Sequence, residues 1–110
     1  MGMNKPSILI YINEADPDIL NEVCAGIEEE GIPYEIFSKE EMDLEYLSFN
    51  SANDSILGAG IGIFGGKVAL SLRSLPRGTY IYYLENPTDS ESRNIGANGA
   101  RAVKRMPFKD

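Results

Sequence analysis

The chain has 110 residues, 43% of them hydrophobic and 25% charged, the composition of one soluble globular domain spanning residues 1–110. It has no histidine and a single cysteine, Cys24, which excludes imidazole-based catalysis, histidine-containing zinc sites and an intramolecular disulfide, makes an enzyme less expected, and favours a reducing cytoplasm. Its net charge of −7 argues against general nucleic-acid binding, and its first apolar run, residues 8–12, is too short to span a membrane.

The first third of the chain predicts a strand, a helix and a second strand. The apolar run 7–12 is typical of a central strand covered on both faces. Asp16 as N-cap and Pro17 at the first helical position predict a helix that ends at Gly31. Residues 33–37 predict a second strand, which should pair parallel to the first through a right-handed connection.

The remaining sequence predicts a mixed sheet. Residues 44–57 are a weak helix candidate, because serine and asparagine dilute it. Strands at 59–64 and 68–72 are joined by Gly65-Gly66, which favours a tight hairpin and makes strand 4 antiparallel. Residues 80–84 predict a fifth strand, and Thr88 or Asp89 begins a last helix that runs to about Arg105. We therefore predict a three-layer α/β fold with a mixed five-stranded sheet.

Two common phosphate-related sites are disfavoured by their context. Gly60, Gly62 and Gly65 match the spacing of a dinucleotide fingerprint, but they lead into a hairpin rather than a helix, which favours ordinary strand and turn glycines. A receiver-like phosphoacceptor site needs a carboxylate after the third strand and a lysine after the last. Phe64 and the pair Glu85-Asn86 occupy those positions instead.

Three adjacent carboxylates, Glu28, Glu29 and Glu30, lie at the end of the first predicted helix. The unpaired carbonyls of a helix C-terminus carry partial negative charge, so each acid there costs roughly 0.3–1 kcal/mol. We expect a group outside the helix to compensate. Either the triplet is a solvated helix end, or it contacts a divalent cation or a basic partner surface. At roughly 100° per residue, only one or two of the three can reach any single partner.

The C-terminal end of the chain is locally basic. Residues 93–110 carry 5 basic and 1 acidic residue and residues 1–92 carry 5 and 16, which together make the 10 and 17 of the whole chain. Lys104 and Arg105 are expected to complement the dipole at the end of their own helix. Arg93 lies in the first turn, where a cation is unfavourable, and such a local mismatch indicates a function or a partner.

Residues 26–34 (GIEEEGIPY) and 92–104 (SRNIGANGARAVK), the latter followed by MPFKD, resemble the small subunit of diol and glycerol dehydratase reactivases. The order of strands and Leu75-Pro76 after strand 4 also fit, so the resemblance covers essentially the whole chain. It implies an anticodon-binding-domain-like fold, in which the fourth of five strands is antiparallel.

The resemblance also implies a function. In that family the small subunit is non-catalytic and pairs with a large, chaperone-like ATPase subunit. The complex rescues adenosylcobalamin-dependent dehydratases by exchanging subunits with them, which releases damaged cobalamin. The dehydratase large subunit is then a partner during exchange, and the protein is cytoplasmic or associated with a bacterial microcompartment. An isolated chain would leave its partner surface uncovered, which favours self-association.

The same resemblance implies which residues contact the partner. A magnesium ion held by the large subunit is reached by a carboxylate at the position of Glu29, and the chain alone is expected to bind no cofactor. The expected interface is formed by Glu28, Glu29, Glu30, Arg93 and Arg101.

Two alternatives remain open. The medium subunit of the dehydratase itself shares the glutamate-rich segment and a similar final helix, but it is longer, with N-terminal sequence not found here, so the reactivase is favoured. An RNA-binding module that uses the basic final helix is less favoured. The chain is acidic overall, and its aromatic residues are not interleaved with its basic ones.

Overall fold

A computed structural model describes residues 5–109, which form five strands and three helices. In chain order these are β1 (Ile8–Asn13), α1 (Pro17–Glu29), β2 (Tyr34–Ser38), α2 (Leu44–Asp54), β3 (Ala59–Phe64), β4 (Lys67–Leu72), β5 (Tyr82–Glu85) and α3 (Asp89–Lys104). In this part of the chain, no helix is long and apolar enough to cross a membrane.

The strands form one mixed sheet in the order β2-β1-β3-β4-β5. β1 is parallel to both β2 and β3, whereas β4 is antiparallel to its neighbours β3 and β5. Gly65, in the turn between β3 and β4, has a φ of +55°, a conformation that glycine adopts readily. The predicted five-stranded sheet, its antiparallel fourth strand and the hairpin at Gly65-Gly66 are confirmed.

Helices cover both faces of the sheet, which gives the predicted three layers. α1 and α3 lie side by side over the larger core, and α2 lies over a smaller core on the opposite face. β1 contributes to both cores, because Ile8 and Ile10 point to one face while Leu9 and Tyr11 point to the other. Its continuous apolar sequence therefore reflects burial on both sides.

α2 forms although its helix propensity is weak. Ser48 and Ser51 are fully buried, and each hydroxyl donates to the carbonyl three residues earlier, at 3.2 and 2.9 Å. The helix lies so close to the sheet that a Cβ on Gly60 would be 2.2 Å from Ser51 Oγ, and one on Gly62 would be 2.6 Å from the backbone nitrogen of Ser48. Tertiary packing thus outweighs propensity. The predicted end at residue 57 is wrong, since the helix ends at Asp54.

The last two elements differ little from prediction. β5 begins at Tyr82, two residues later than expected. Thr88 is the N-cap of α3 and forms a capping box with Glu91, with hydrogen bonds of 2.9 and 3.1 Å. The local sequence pattern was sufficient to place this helix start.

α1 and α3 run in the same direction and touch at two glycines. A Cβ on Gly26 would lie 2.0 Å from the carbonyl oxygen of Arg93, and one on Gly96 would lie 2.0 Å from that of Val23. The C-termini of both helices therefore lie at the same end of the sheet, the end at which the parallel strands, β2 among them, begin. This close parallel crossing brings the acidic end of α1 beside the basic end of α3.

Candidate partner-binding site

The three glutamates at the end of α1 have different environments. Glu28 is exposed and accepts a hydrogen bond of 2.7 Å from the hydroxyl of Tyr34. The Glu29 side chain is 46% exposed, and its carboxylate lies 3.5 Å from Arg93 Nη1. The Glu30 side chain is only 11% exposed. The triplet thus presents two of its three carboxylates to solvent.

Glu30 is held by two cations of α3. One of its oxygens accepts from Lys104 Nζ at 2.9 Å and the other from Arg101 Nε at 3.0 Å. These hydrogen bonds, that of Lys104 first, lower the pKa of the Glu30 carboxyl below its ordinary value. Lys104 Nζ also donates to the backbone carbonyl of Glu30 at 2.8 Å. The compensating charge expected outside α1 is therefore provided by α3 of the same chain.

The charge of Arg93 is likewise paired with a glutamate of α1. Arg93 is the fifth residue of α3, so it lies just past the first turn in which it was expected. Its Nε and Nη2 lie 2.8 and 2.7 Å from one oxygen of Glu22, and the pair raises the pKa of the Arg93 guanidinium. The side chain remains 45% exposed. The charges of Glu30 and Arg93, which looked unfavourable in the sequence, are thus each paired with opposite charges across the α1–α3 contact. Whether these residues also bind a partner depends on their exposure, which favours Glu28, Glu29 and Arg93 over Glu30.

Glu22 and Tyr34 belong to this cluster and were not identified from the sequence. Glu22 precedes Glu29 by seven residues, two helical turns, so helical periodicity contained a signal for it. Tyr34 lies on β2 and offered no such signal. Cys24 is buried and its thiol pKa is raised by that burial, which makes it a packing residue rather than a nucleophile.

An open cleft of about 410 Å³ lies beside the cluster. It is lined by Glu22, Glu29, Asp89, Ser90, Arg93, Asn94 and Lys109. Glu29 and Arg93 are therefore reachable by another molecule from the same side.

The described residues contain no group of three histidine, cysteine, aspartate or glutamate side chains placed to hold a metal ion. Glu29 fits a more limited role, because its exposed carboxylate makes only the 3.5 Å contact with Arg93, through one oxygen, and its other oxygen can bind a hard cation whose other ligands come from elsewhere. Glu30 does not fit that role, since both its oxygens accept hydrogen bonds from α3.

Comparisons with known proteins agree with the resemblance seen in the sequence. The profile of the dehydratase medium subunit family matches residues 5–109. The propanediol dehydratase-reactivating factor small subunit of Citrobacter freundii is 33% identical over 110 residues, which cover 99% of this chain and 95% of that protein. The chain belongs to the family of dehydratase-reactivating factor small subunits.

Solved structures of reactivases have the same fold. A chain of the diol dehydratase-reactivating factor complexed with ADP and Mg2+ is 30% identical, with a TM-score of 0.90 over 96% of this chain and 99% of that one. A glycerol dehydratase reactivase chain is 26% identical, with a TM-score of 0.89 over 96% and 98%. The mixed α/β fold is therefore that of the reactivase small subunits.

Proposed function

We propose that the chain acts as the non-catalytic small subunit of a diol or glycerol dehydratase reactivase, paired with a large subunit that carries the ATPase activity. The observation that carries this proposal is the match to a reactivating factor small subunit over nearly the full length of both proteins. The absence of histidine from the sequence agrees with a non-catalytic role. Such a subunit works where its dehydratase is, in the cytoplasm or in a bacterial microcompartment.

The mechanism that we propose is subunit exchange with an adenosylcobalamin-dependent dehydratase, which opens the dehydratase and releases damaged cobalamin. The match to the dehydratase medium subunit family supports it, because a chain with the fold of that subunit is suited to the same partner surface. A medium-subunit-like component of the dehydratase itself is the second candidate, and the same match favours it.

Binding to RNA has less support. Arg93, Arg101 and Lys104 are each paired with a glutamate of α1 or of its C-cap, so much of the positive charge of α3 is neutralised within the chain. A basic helix that binds phosphates needs those cations to be available.

For the interface, we propose that Glu29 donates one oxygen to a Mg2+ ion held mainly by the large subunit, with Glu28 and Arg93 beside it. The exposed carboxylate of Glu29 supports this role. Glu30 and Arg101 contribute to this interface indirectly. Their ion pair of 3.0 Å fixes the end of α1 against α3 and so holds Glu28 and Glu29 in position.

Co-expression of this chain with the reactivase large subunit from the same genome tests the pairing. Size-exclusion chromatography with light scattering should show a stable complex, and added ATP should transfer the chain to a dehydratase. If the chain instead forms a stable, diol-converting dehydratase and no complex with the large subunit, the medium-subunit alternative is correct.

Substituting Glu29→Ala tests the metal contact. We expect affinity for the large subunit to fall about tenfold in Mg2+ and to equal that of wild type in EDTA, because only the shared ion is lost. Unfolding should be unchanged, since the side chain is exposed. Asp18→Ala, an exposed acid at the other end of α1, is the matched control and should bind like wild type. Equal affinity of Glu29→Ala and wild type in Mg2+ would exclude the metal role.

A further inference from the structure

The face of the sheet that α2 covers carries an exposed aromatic surface, here called the aromatic patch. Its members are Met42, Tyr46, Phe49, Arg77, Tyr80 and Tyr83. Met42, Tyr46 and Tyr83 are 67%, 40% and 43% exposed, so three of the seven large exposed hydrophobic side chains in the described part of the chain lie here. Such clustering is what distinguishes an interaction surface from scattered exposed residues.

The side chains of the patch are held in place by one another. The Arg77 guanidinium lies 5.1 Å from the ring centres of both Tyr46 and Phe49. The rings of Tyr80 and Tyr83 are stacked, with their centres 5.6 Å apart. Tyrosine, arginine and methionine are the residues enriched at the centres of protein interfaces. Because the rings are already ordered, a partner would lose little side-chain entropy by binding them.

An open cleft of about 410 Å³ lies within the patch. It lies between the start of α2 and the rings of Tyr80 and Tyr83, with Phe64 and Lys67 also in its lining. Phe64 ends β3, so the cleft is at the carboxyl edge of the parallel strands, where open α/β sheets commonly bind other molecules. The space is sufficient to receive an apolar side chain of a partner.

The surroundings of Met42 are acidic. Residues 40–45 contain four carboxylates, those of Glu40, Glu41, Asp43 and Glu45. Glu45 and Asp43 lie close enough to Tyr80 to add to the effect of burial in raising the pKa of its hydroxyl. Among the described residues that line the cleft, Lys67 is the single cation, and Arg77 of the patch is 3.9 Å from Glu45. A complementary partner therefore carries basic side chains.

We propose that the aromatic patch is a second protein-docking surface, occupied by a protein segment that inserts an apolar side chain and places lysine or arginine against the carboxylates of residues 40–45. The patch and Glu29 lie on opposite faces of the sheet, because α2 and α1 cover different faces. They also lie at opposite ends of the strands, because α1 ends where β2 begins whereas the patch adjoins the end of β3. A single flat partner surface does not reach both. Because the two surfaces face opposite ways, and resting on the proposed function, we assign the occupant to a protein other than the one that contacts Glu29, namely the dehydratase large subunit.

The test measures dissociation constants for the dehydratase large subunit and for the reactivase large subunit separately. The double variant Met42→Ser/Tyr83→Ser should bind the dehydratase subunit about tenfold more weakly or worse and the reactivase subunit like wild type. The matched control is Ile36→Ser/Ile56→Ser, which removes two side chains that are 42% and 47% exposed but lie outside the patch. It should bind both proteins like wild type.

A second variant keeps the test independent of any effect of those substitutions on folding. Glu40→Gln/Glu41→Gln leaves the helix cap Asp43 and the core intact. It should weaken binding to the dehydratase subunit and reduce the dependence of that binding on salt.

The outcomes separate this inference from the proposed function. Wild-type affinity of both patch variants for the dehydratase subunit overturns the inference alone. Loss of reactivase binding by the patch variants overturns the assignment of two separate surfaces. A wild-type chain that binds neither protein overturns the proposed function and the inference with it.

Discussion

Glu30, the C-cap of α1, has a carboxylate that is almost fully covered. Its two cationic partners, Arg101 and Lys104, are 71 and 74 residues away in the chain. The sequence showed that the charge at this helix end needed compensation, but nothing local indicated which residues provide it. By contrast, the caps Asp16 and Thr88 were predictable, because capping depends on neighbours within three residues.

Replacing Glu30 by glutamine should make stability less dependent on pH. The folded-state pKa of Glu30 is lowered, so its contribution is fully present above its unfolded pKa of about 4.3 and is lost as the pH falls through the folded value. We expect Glu30→Gln to lower the free energy of unfolding by about 1 kcal/mol at pH 7 and by less at pH 3. Urea unfolding at both pH values measures this.

Glu28→Gln is the control for that experiment. Its carboxylate is exposed and accepts from a single hydroxyl, so the change should be within about 0.5 kcal/mol at either pH. A Glu30→Gln deficit that is equal at both pH values would contradict an origin in the ion pairs.

At the scale of elements, the order of strands and helices followed from the sequence because apolar periodicity and caps are local. The close contacts between helices and strands could not be predicted from the sequence in this way. Gly60 and Gly62 were correctly read as strand glycines, but the reason for them is contact with α2, which becomes apparent only once the helix is placed. The end of α2 was missed for a similar reason, because Ser55 is bound by long-range contacts, donating to the carbonyl of Ser7 at 2.6 Å.

The close contact between α1 and α3 predicts that Gly26→Ala lowers the stability of the fold. Gly26→Ala gains about 1 kcal/mol of helix propensity, but its methyl group would lie 2.0 Å from a backbone carbonyl that no side-chain rotation can move. Separating the helices costs about 3 kcal/mol, so we expect a net loss of about 2 kcal/mol in thermal or chemical unfolding.

Gly99→Ala on α3 is the matched control. Its nearest neighbour would be the methyl group of Leu70 at 3.3 Å, which can shift. The helix-propensity gain should then dominate, and stability should be unchanged or higher. Equal changes in unfolding free energy for Gly26→Ala and Gly99→Ala would contradict the close backbone contact between α1 and α3.

At the scale of the whole molecule, the parallel pairing of β1 with β2 followed from the handedness rule and the β3–β4 hairpin from Gly65-Gly66, whereas the pairing of β1 with β3 became apparent only in the structure. What could not be predicted is how the chain ends relative to the sheet. The segment after α3 turns back, and Phe108 packs edge-on against Tyr82 of the edge strand, with ring centres 5.8 Å apart. The sequence MPFKD contributed to the family resemblance, but its position is fixed by Asn98, by the Phe108–Tyr82 contact and by Arg101 Nη1, which donates to the carbonyl of Pro107 at 3.1 Å.

Asn98 is 2% exposed and binds the backbone of Lys109 through both amide atoms, accepting at 2.6 Å and donating at 3.1 Å. Removal of residues 107–110 leaves this buried amide without those bonds, which should cost about 1–3 kcal/mol. Asn98→Ala in the full chain loses the same bonds, so the truncation and the substitution should be strongly non-additive when combined. Lys109→Ala should leave urea unfolding unchanged, because its contacts with Asn98 are made by the backbone. Fully additive costs of truncation and Asn98→Ala would contradict a shared contribution from these two amide hydrogen bonds.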